Sequence, residues 1–284
     1  MTTPLVSVLT PSFNQERWLG DNLTSVARQT YPSVEHIVFD GGSTDGSVSL
    51  LEAATFPGLR WSSEPDRGQS HALNKAFAES SGEIIGWLNS DDAYYAADAI
   101  QWAVDAFLAD PAVDVVFGHA LLVGAAGTIL QVLYVPPLWM CRGAIHDHLN
   151  QPSVFIRRSA LGTVLADESF DHAMDRELWL RLRTHKFRRL SRVLALDRHQ
   201  KDRKSYTQVG VATADRARLV ARYGITDSVS YRLRRKATRV VGRVLGIFLV
   251  PGMLRQAAAI GLHLDVQAVV TRQLLRPRKA FPWD

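Results

Sequence analysis

The feature that most limits the fold of this chain is a repeated pattern in its first third, a short apolar run that stops abruptly in polar residues. Leu5–Thr10 stops at Pro11-Ser12-Phe13-Asn14, and Val34–Phe39 stops at Asp40-Gly41-Gly42-Ser43-Thr44-Asp45-Gly46-Ser47. Leu59–Ser62 leads into Glu64-Pro65-Asp66-Arg67-Gly68-Gln69, and Glu83–Leu88 runs into Asn89-Ser90-Asp91-Asp92. The apolar runs read as strands. Segments with helical spacing separate them: Glu16–Gln29, which carries Trp18, Leu19, Leu23, Val26 and Ala27, then Ser47–Ala54 and Ser70–Ala78. Ala96–Leu108 adds a further helix and Val113–Phe117 a fifth strand. This alternation predicts an α/β layer structure around a mostly parallel sheet.

After Gly118 the rhythm changes. Leu121–Val123 and Thr128–Tyr134 flank Gly124-Ala125-Ala126-Gly127 as a hairpin, Ser153–Ile156 reads as a strand, and Ala173–His185 reads as a helix. Beyond Tyr206 the pattern is helical and basic. From Ser228 to Asp284 there are 11 Lys/Arg against 2 Asp/Glu, a balance of +9, whereas residues 1–227 hold 22 against 26, a balance of −4. A basic tail suits an anionic membrane surface or a solvated helix face, and the acidic body argues against nucleic acid as a partner.

With 46% apolar and 21% charged residues, a chain of 284 residues is globular, one large domain or one with appendages. Its lone cysteine, Cys141, excludes an internal disulfide framework and a cysteine-based zinc site. The N-terminus has no secretory pattern, and no uninterrupted run of about 20 apolar residues suggests a membrane span. These features predict a cytoplasmic protein, peripheral at the inner face of the cell membrane if the tail binds lipid.

In open α/β sheets, ligands bind beyond the carboxyl ends of the strands, where the four polar clusters fall. Turn formation and helix capping explain any one cluster, but the four together less easily. Asp40 at a strand end can accept hydrogen bonds from a base or a ribose, and the glycines after it let a flat ligand approach the backbone. The Asp40 loop is not a calcium loop, since Gly42, Thr44 and Leu51 would occupy ligand positions. Neither a dinucleotide fingerprint nor a Walker phosphate loop occurs. The adjacent carboxylates of Asp91 and Asp92 repel each other unless a cation sits beside them. A hard divalent ion shared with phosphates would serve, and helix capping is the competing reading. His146-Asp147-His148 lacks a third ligand at matching spacing and reads as a polar loop.

Taken in order, Val6–Asn14, Asp40–Ser47, Asp66–Gln69 and Trp87–Asp92 resemble family-2 glycosyltransferases, which have the GT-A fold. The likeness continues through Ser153–Arg158 and Met174–Leu182 and covers roughly residues 5–205. The resemblance implies an inverting transfer from a nucleotide-diphosphate sugar to a glycan or lipid-linked acceptor. It places Pro11, Asn14 and Asp40 around the nucleoside, Asp66 near the base, and Asp91 at the end of the family's Asp-x-Asp motif, where it would ligate Mn²⁺ or Mg²⁺. Here the first Asp of that motif is Asn89, which can still hydrogen-bond a ribose but lowers the charge of the site. Asp92 would orient the ligands of the metal, His199 would complete its shell, and Lys204 would hold phosphate. Asp175 stands at the position of the catalytic base, with Met174 replacing the usual neighbouring glutamate. Glu177 faces away from Asp175 on a helix; Trp179 is either an acceptor platform or a core residue, and Gln151 and Arg157 are either acceptor contacts or surface residues. The expected division is a GT-A-like catalytic domain at 1–205 and a basic helical extension at 206–284. Two other readings stay open, a nucleotide-sugar-binding subunit without turnover and a nucleotidyltransferase, although the latter should carry a glycine-rich basic loop after strand one.

Overall fold

A computed structural model of the chain describes residues 3–141, 145–200, 209–225, 229–249 and Val269. Strands β1 (Val6–Ser12), β2 (Val34–Asp40), β3 (Leu59–Ser63) and β4 (Ile84–Trp87) alternate with helices α1 (Glu16–Ala27), α2 (Ser47–Ala53) and α3 (Gln69–Glu79). Then come β5 (Ala93–Tyr94), α4 (Ala99–Ala109), β6 (Val115–Gly124), β7 (Ile129–Leu133), β8 (Val154–Arg157), α5 (Met174–Arg181) and β9 (Phe187–His199). Helices α6 (Val209–Tyr223) and α7 (Val229–Ile247) follow.

The strands form one sheet in the order β3-β2-β1-β4-β8-β6-β9-β5, with β7 paired to β6. β3, β2, β1 and β4 are mutually parallel. β8 is antiparallel to both β4 and β6, so β6 runs with the first four strands, and β9 pairs parallel to β6. Only β5, β7 and β8 oppose this direction. The sheet is therefore mostly parallel in sense, as the apolar runs predict. Side chains alternate between its faces: Val6, Val8 and Ile84 pack with α4 on one side, and Leu9, Ile85 and Trp87 pack with α3 and α5 on the other.

Two strand expectations are corrected. Val113–Phe117 and Leu121–Val123 are parts of one strand, β6, running through Gly118. Gly118 marks a close approach, since a Cβ there would lie 2.6 Å from the Leu194 side chain and 2.7 Å from the Arg192 carbonyl of β9. β9 itself was not expected. Its first half, Phe187–Arg192, is rich in arginine and partly exposed, and only Val193–Leu196 carries a buried apolar signature.

Beyond the expected boundary after residue 205, the described part of the extension packs against the sheet and its helices. Leu219 of α6 is buried in the same cluster as Leu178 and Trp179 of α5. α7 lies against the hairpin end, where a Cβ on Gly242 would be 3.2 Å from the Tyr134 carbonyl. Its residues Leu233, Val240 and Val244, and Phe248 just after it, are exposed. No described helix is long and apolar enough to cross a membrane.

Candidate functional site

The carboxyl ends of β1, β2 and β4 open into a cavity of about 1290 Å³ that residues of α5, α6 and α7 also line. Pro11 near the end of β1, Asn14 after it, Gly41 after β2, Asp66 after β3 and Asn89–Asp92 after β4 all line it. So do Asp147, Gln151, Asp175, Arg176, Arg216 and Arg239. This volume exceeds the roughly 300–1,000 Å³ typical of a single-ligand pocket.

At the β1–β2 end, Asn14 holds a left-handed φ of 52°, a conformation that asparagine tolerates better than most residues. Its Oδ1 accepts the Thr44 N–H at 2.9 Å, tying the first strand end to the second. Asp40 is fully buried. Its carboxylate accepts from the Gly42 and Ser43 amides at 3.1 and 2.7 Å and from the hydroxyls of Ser43 and Ser63 at 2.5 and 2.7 Å. It shapes its own loop and does not line the cavity; Gly41 does. A Cβ on Gly41 would sit 2.8 Å from Asp66 Oδ2 and 3.3 Å from the ring of Phe13, so the missing side chain leaves a flat slot between them. Asp66 in turn accepts the Gly68 amide at 2.7 Å.

Asn89 is the hub of the β4 end. Its Oδ1 accepts from Trp87 Nε1 and Gln69 Nε2, both at 2.8 Å, and its Nδ2 donates to Gln151 Oε1 at 3.0 Å and Asp92 Oδ2 at 3.3 Å. An amide supplies the two donors this arrangement uses, whereas a carboxylate would supply none and would face Asp92. The Asn89 side chain thus ties together β4, α3, Gln151 and Asp92 at the cavity lining. Asp92 is buried and also accepts the Arg198 amide at 3.0 Å. Asp91, half-buried at the wall, accepts from Gln200 Nε2 at 2.8 Å.

β9 thus latches the Asn89–Asp92 loop. Arg198 donates through Nε to the Asp91 carbonyl at 3.0 Å, pairs with Asp21 at 2.8 Å, and stacks 4.4 Å above Trp18. The residue that reaches Asp91 is Gln200. His199 is buried and does not line the cavity. Lys204 lies outside the described residues. Among the described residues no three His, Cys, Asp or Glu side chains form a closed metal cage. Asn22 was also missed: its Nδ2 donates to the Asn89 and Asp92 carbonyls at 2.9 and 3.1 Å. A polar residue within the apolar stripe Trp18, Leu19, Leu23, Val26 was the available signal.

Asp175 sits in the first turn of α5, half-buried, with its Oδ1 2.6 Å from the Arg176 amide. The helix has no capping side chain of its own. Asp215 of α6 serves instead, accepting the His172 and Ala173 amides at 2.8 and 3.1 Å from a fully buried position. Glu177 turns away from the cavity as expected, pairing with Arg181 at 3.2 Å and accepting from Tyr223. Burial, with Glu177 beside it, pushes the Tyr223 hydroxyl up to about 12. Trp179 is 2% exposed and packed in the core, and it also lines the cavity. Asp147 is ion-paired to Arg176 at 2.5 Å, and Arg157 stacks on Phe107, away from the cavity lining.

Residues 7–131 match the sequence profile of glycosyl transferase family 2. This segment belongs to that family. An uncharacterized glycosyltransferase of Mycobacterium tuberculosis is 39% identical over 122 residues, 42% of this chain and 46% of that protein. Chondroitin synthase of Escherichia coli is 28% identical over 185 residues, 63% of this chain and 26% of the synthase. The chain thus spans less than half the length of these curated relatives. Staphylococcus aureus TarS 1-349, crystallised with UDP-GlcNAc, superposes with a TM-score of 0.60 at 17% identity, covering 95% of this chain and 90% of that one. A mannosyltransferase of Pyrobaculum calidifontis in complex with GDP-Man and Mn²⁺ gives 0.56 at 20% identity, covering 94% and 79%. Both likenesses are of fold, the GT-A type. The family-2 match ends within β7, so α5, with Asp175, and the two C-terminal helices lie beyond it.

Proposed function

We propose that this family-2 chain transfers a sugar, with inversion, from a nucleotide-diphosphate donor to a hydroxyl of a glycan or lipid-linked acceptor. The observation that carries this reading is that Asp91 and Asp175 both line one cavity large enough for two substrates. The nucleoside would occupy the slot at Pro11, Gly41 and Asp66, with the diphosphate toward Asp91. Asp175 would take the proton from the acceptor hydroxyl as its oxygen attacks the anomeric carbon, and one such base suffices for a single displacement. Holding both substrates in line lowers the barrier further.

Mn²⁺ or Mg²⁺ fits the donor wall. Such ions take one or two protein carboxylates and complete their shell with substrate phosphates and water, which suits an open site with Asp91 at the wall and no closed cage among the described residues. When bound, the ion neutralises charge on the departing diphosphate. Asp91 would be its ligand, and Asp92, held by Arg198 and Asn89, would fix the loop behind it. The exposed apolar residues of α7 and the +9 balance of the tail support contact with an anionic membrane.

Thermal stabilisation of the chain by UDP, GDP and their sugars, each with Mn²⁺, Mg²⁺ or EDTA, tests the donor reading. A metal-dependent rise in Tm with one nucleotide is expected. No rise with any of them, from folded protein, would contradict it.

A further inference from the structure

The segment that leads into α5 is tied down by side chains of α3. Asn74 uses its whole side-chain amide on it. Its Oδ1 accepts the Leu165 and Ala166 amides at 3.1 and 2.9 Å, 91 and 92 positions later in the chain. Its Nδ2 donates to the Ala166 carbonyl at 2.9 Å and to Glu168 Oε1 at 3.2 Å. One turn earlier, the buried Ser70 donates to the Phe170 carbonyl at 3.1 Å, and its Oγ lies 3.2 Å from Met174 Sδ. Met174 is itself buried and directly precedes Asp175.

The start of the same helix belongs to the loop proposed to meet the nucleotide. Asp66, Gly68 and Gln69 line the cavity, Asp66 accepts the Gly68 amide at 2.7 Å, and Gln69 donates to Asn89 at 2.8 Å. Arg67 pairs with Glu168 at 2.8 Å, but both side chains are exposed, so this pair adds little. The bonds of Asn74 and Ser70 are the firmer part of the contact. At its other end, Asp171, His172, Met174 and Asp175 line the same cavity. One rigid helix thus touches both the 66–69 loop and the segment that carries Asp175. Precision matters there, since a misplacement of about 1 Å in a reacting group can cost about 10²-fold in rate.

We infer that Asn74, with Ser70 one turn before it, is a positioning residue for Asp175, and that through α3 the bound nucleotide sets the place of that carboxylate. This inference rests on the reading of the 66–69 loop as a donor contact and of Asp175 as the base.

The test is amide hydrogen exchange of the full chain, with and without UDP or GDP plus Mn²⁺. One nucleotide should slow exchange by about fivefold or more at residues 66–69 and also at 165–178. In Asn74→Ala the slowing should persist at 66–69 and fall below about twofold at 165–178, with nucleotide Kd changed by less than about threefold. Asn74→Asp keeps the oxygen that the two amides use and should retain much of the slowing. A second readout is the ¹³C resonance of the Asp175 carboxyl group, assigned by its loss in Asp175→Asn. It should move on nucleotide addition in the unmodified chain and stay still in Asn74→Ala. Should Asn74→Ala fail to fold, Ser70→Ala, which removes one hydroxyl, is read in the same way. Slowing at 66–69 alone in the unmodified chain would overturn the inference and leave the donor reading standing. Slowing at 165–178 that survives Asn74→Ala would also overturn it, by making Asn74 a packing residue only. If neither nucleotide slows exchange at 66–69, the donor reading itself fails and the inference falls with it. Turnover of Asp175→Asn decides separately whether Asp175 is the base.

Discussion

In one part of the cavity lining, Pro11, Asn14, Gly41, Asp66 and Asn89 lie at the carboxyl ends of adjacent parallel strands, within the first third of the chain. In another part, Asp147, Asp175, Arg216 and Arg239 arrive from a short turn and three helices spread over the following residues up to α7. The first wall is a property of sheet topology, because parallel strands joined by right-handed crossovers bring their ends to one edge whatever their loops contain. The second wall has no such template. Each of its residues depends on a tertiary contact, as Asp175 depends on Asp215 forty residues later. The family-2 profile covers the first wall and stops before the second. On the proposed reading, donor chemistry is built on the segment that the profile covers, and acceptor chemistry on elements beyond it.

The sharpest way to separate the walls is Asp175→Asn. Removing a general base should lower turnover by about 10²–10⁴-fold while leaving nucleotide affinity nearly unchanged, as read by kcat and donor Kd. A comparable loss of donor binding would merge the two walls into one.

Asp215→Ala tests whether the acceptor wall depends on α6. It strands two amides and should destabilise the protein by about 1–3 kcal/mol. With the base misplaced, kcat should fall more than donor KM rises, and Asp215→Asn, which keeps an acceptor oxygen, should recover much of both. Equal effects of the two substitutions would show that α6 is only packing.

Asn89→Asp probes the donor wall. It removes two donors and sets a second carboxylate against Asp92, so Tm in EDTA should drop, by about 1–2 kcal/mol of stability. Mn²⁺ with nucleoside diphosphate should restore more of that loss than it adds to the unmodified protein. An unchanged Tm in EDTA would remove Asn89 from its place as the hub.

A pH dependence concerns both walls together. His36 lies beneath the donor wall and His119 beneath the acceptor wall, and burial pushes each down to about 3. Their stabilising neutrality is complete above the ordinary histidine value near 6.5 and is lost as pH falls through the range from there to about 3, at about 1.4 kcal/mol per unit for each. Thermal melts should shift downward in a single transition between pH 7 and 5. Two resolved transitions would mean that the walls unfold separately.

Much of the donor wall was legible in the residues alone. Strand ends followed by Asp-Gly-Gly or Asn-Ser-Asp-Asp announce themselves by a change from apolar to polar within one residue. What could not be read was the use of each side chain. Asp40 and Asn89 look like ligand contacts in sequence, but Asp40 bonds to its own loop and Ser63, and Asn89 to Trp87, Gln69, Gln151 and Asp92. Gln200 could not be paired with Asp91 because the bond spans 109 positions and neither residue marks the other. Gly118 was read as a break because a glycine ending an apolar run resembles a turn, and only the nearness of Leu194 shows why the strand needs it. The acceptor wall was legible only at Asp175 and Gln151. Helical periodicity shows which face of α6 is apolar, but not that Asp215 reaches back to cap α5.

The central claim, that donor and acceptor functions sit on separate walls, is tested most directly by calorimetric titration of the nucleoside diphosphate with Mn²⁺ into the unmodified chain, Asp91→Asn and Asp175→Asn. The account predicts at least tenfold weaker binding for Asp91→Asn and an unchanged Kd for Asp175→Asn. Equal weakening in both variants, or full affinity in Asp91→Asn, would contradict it.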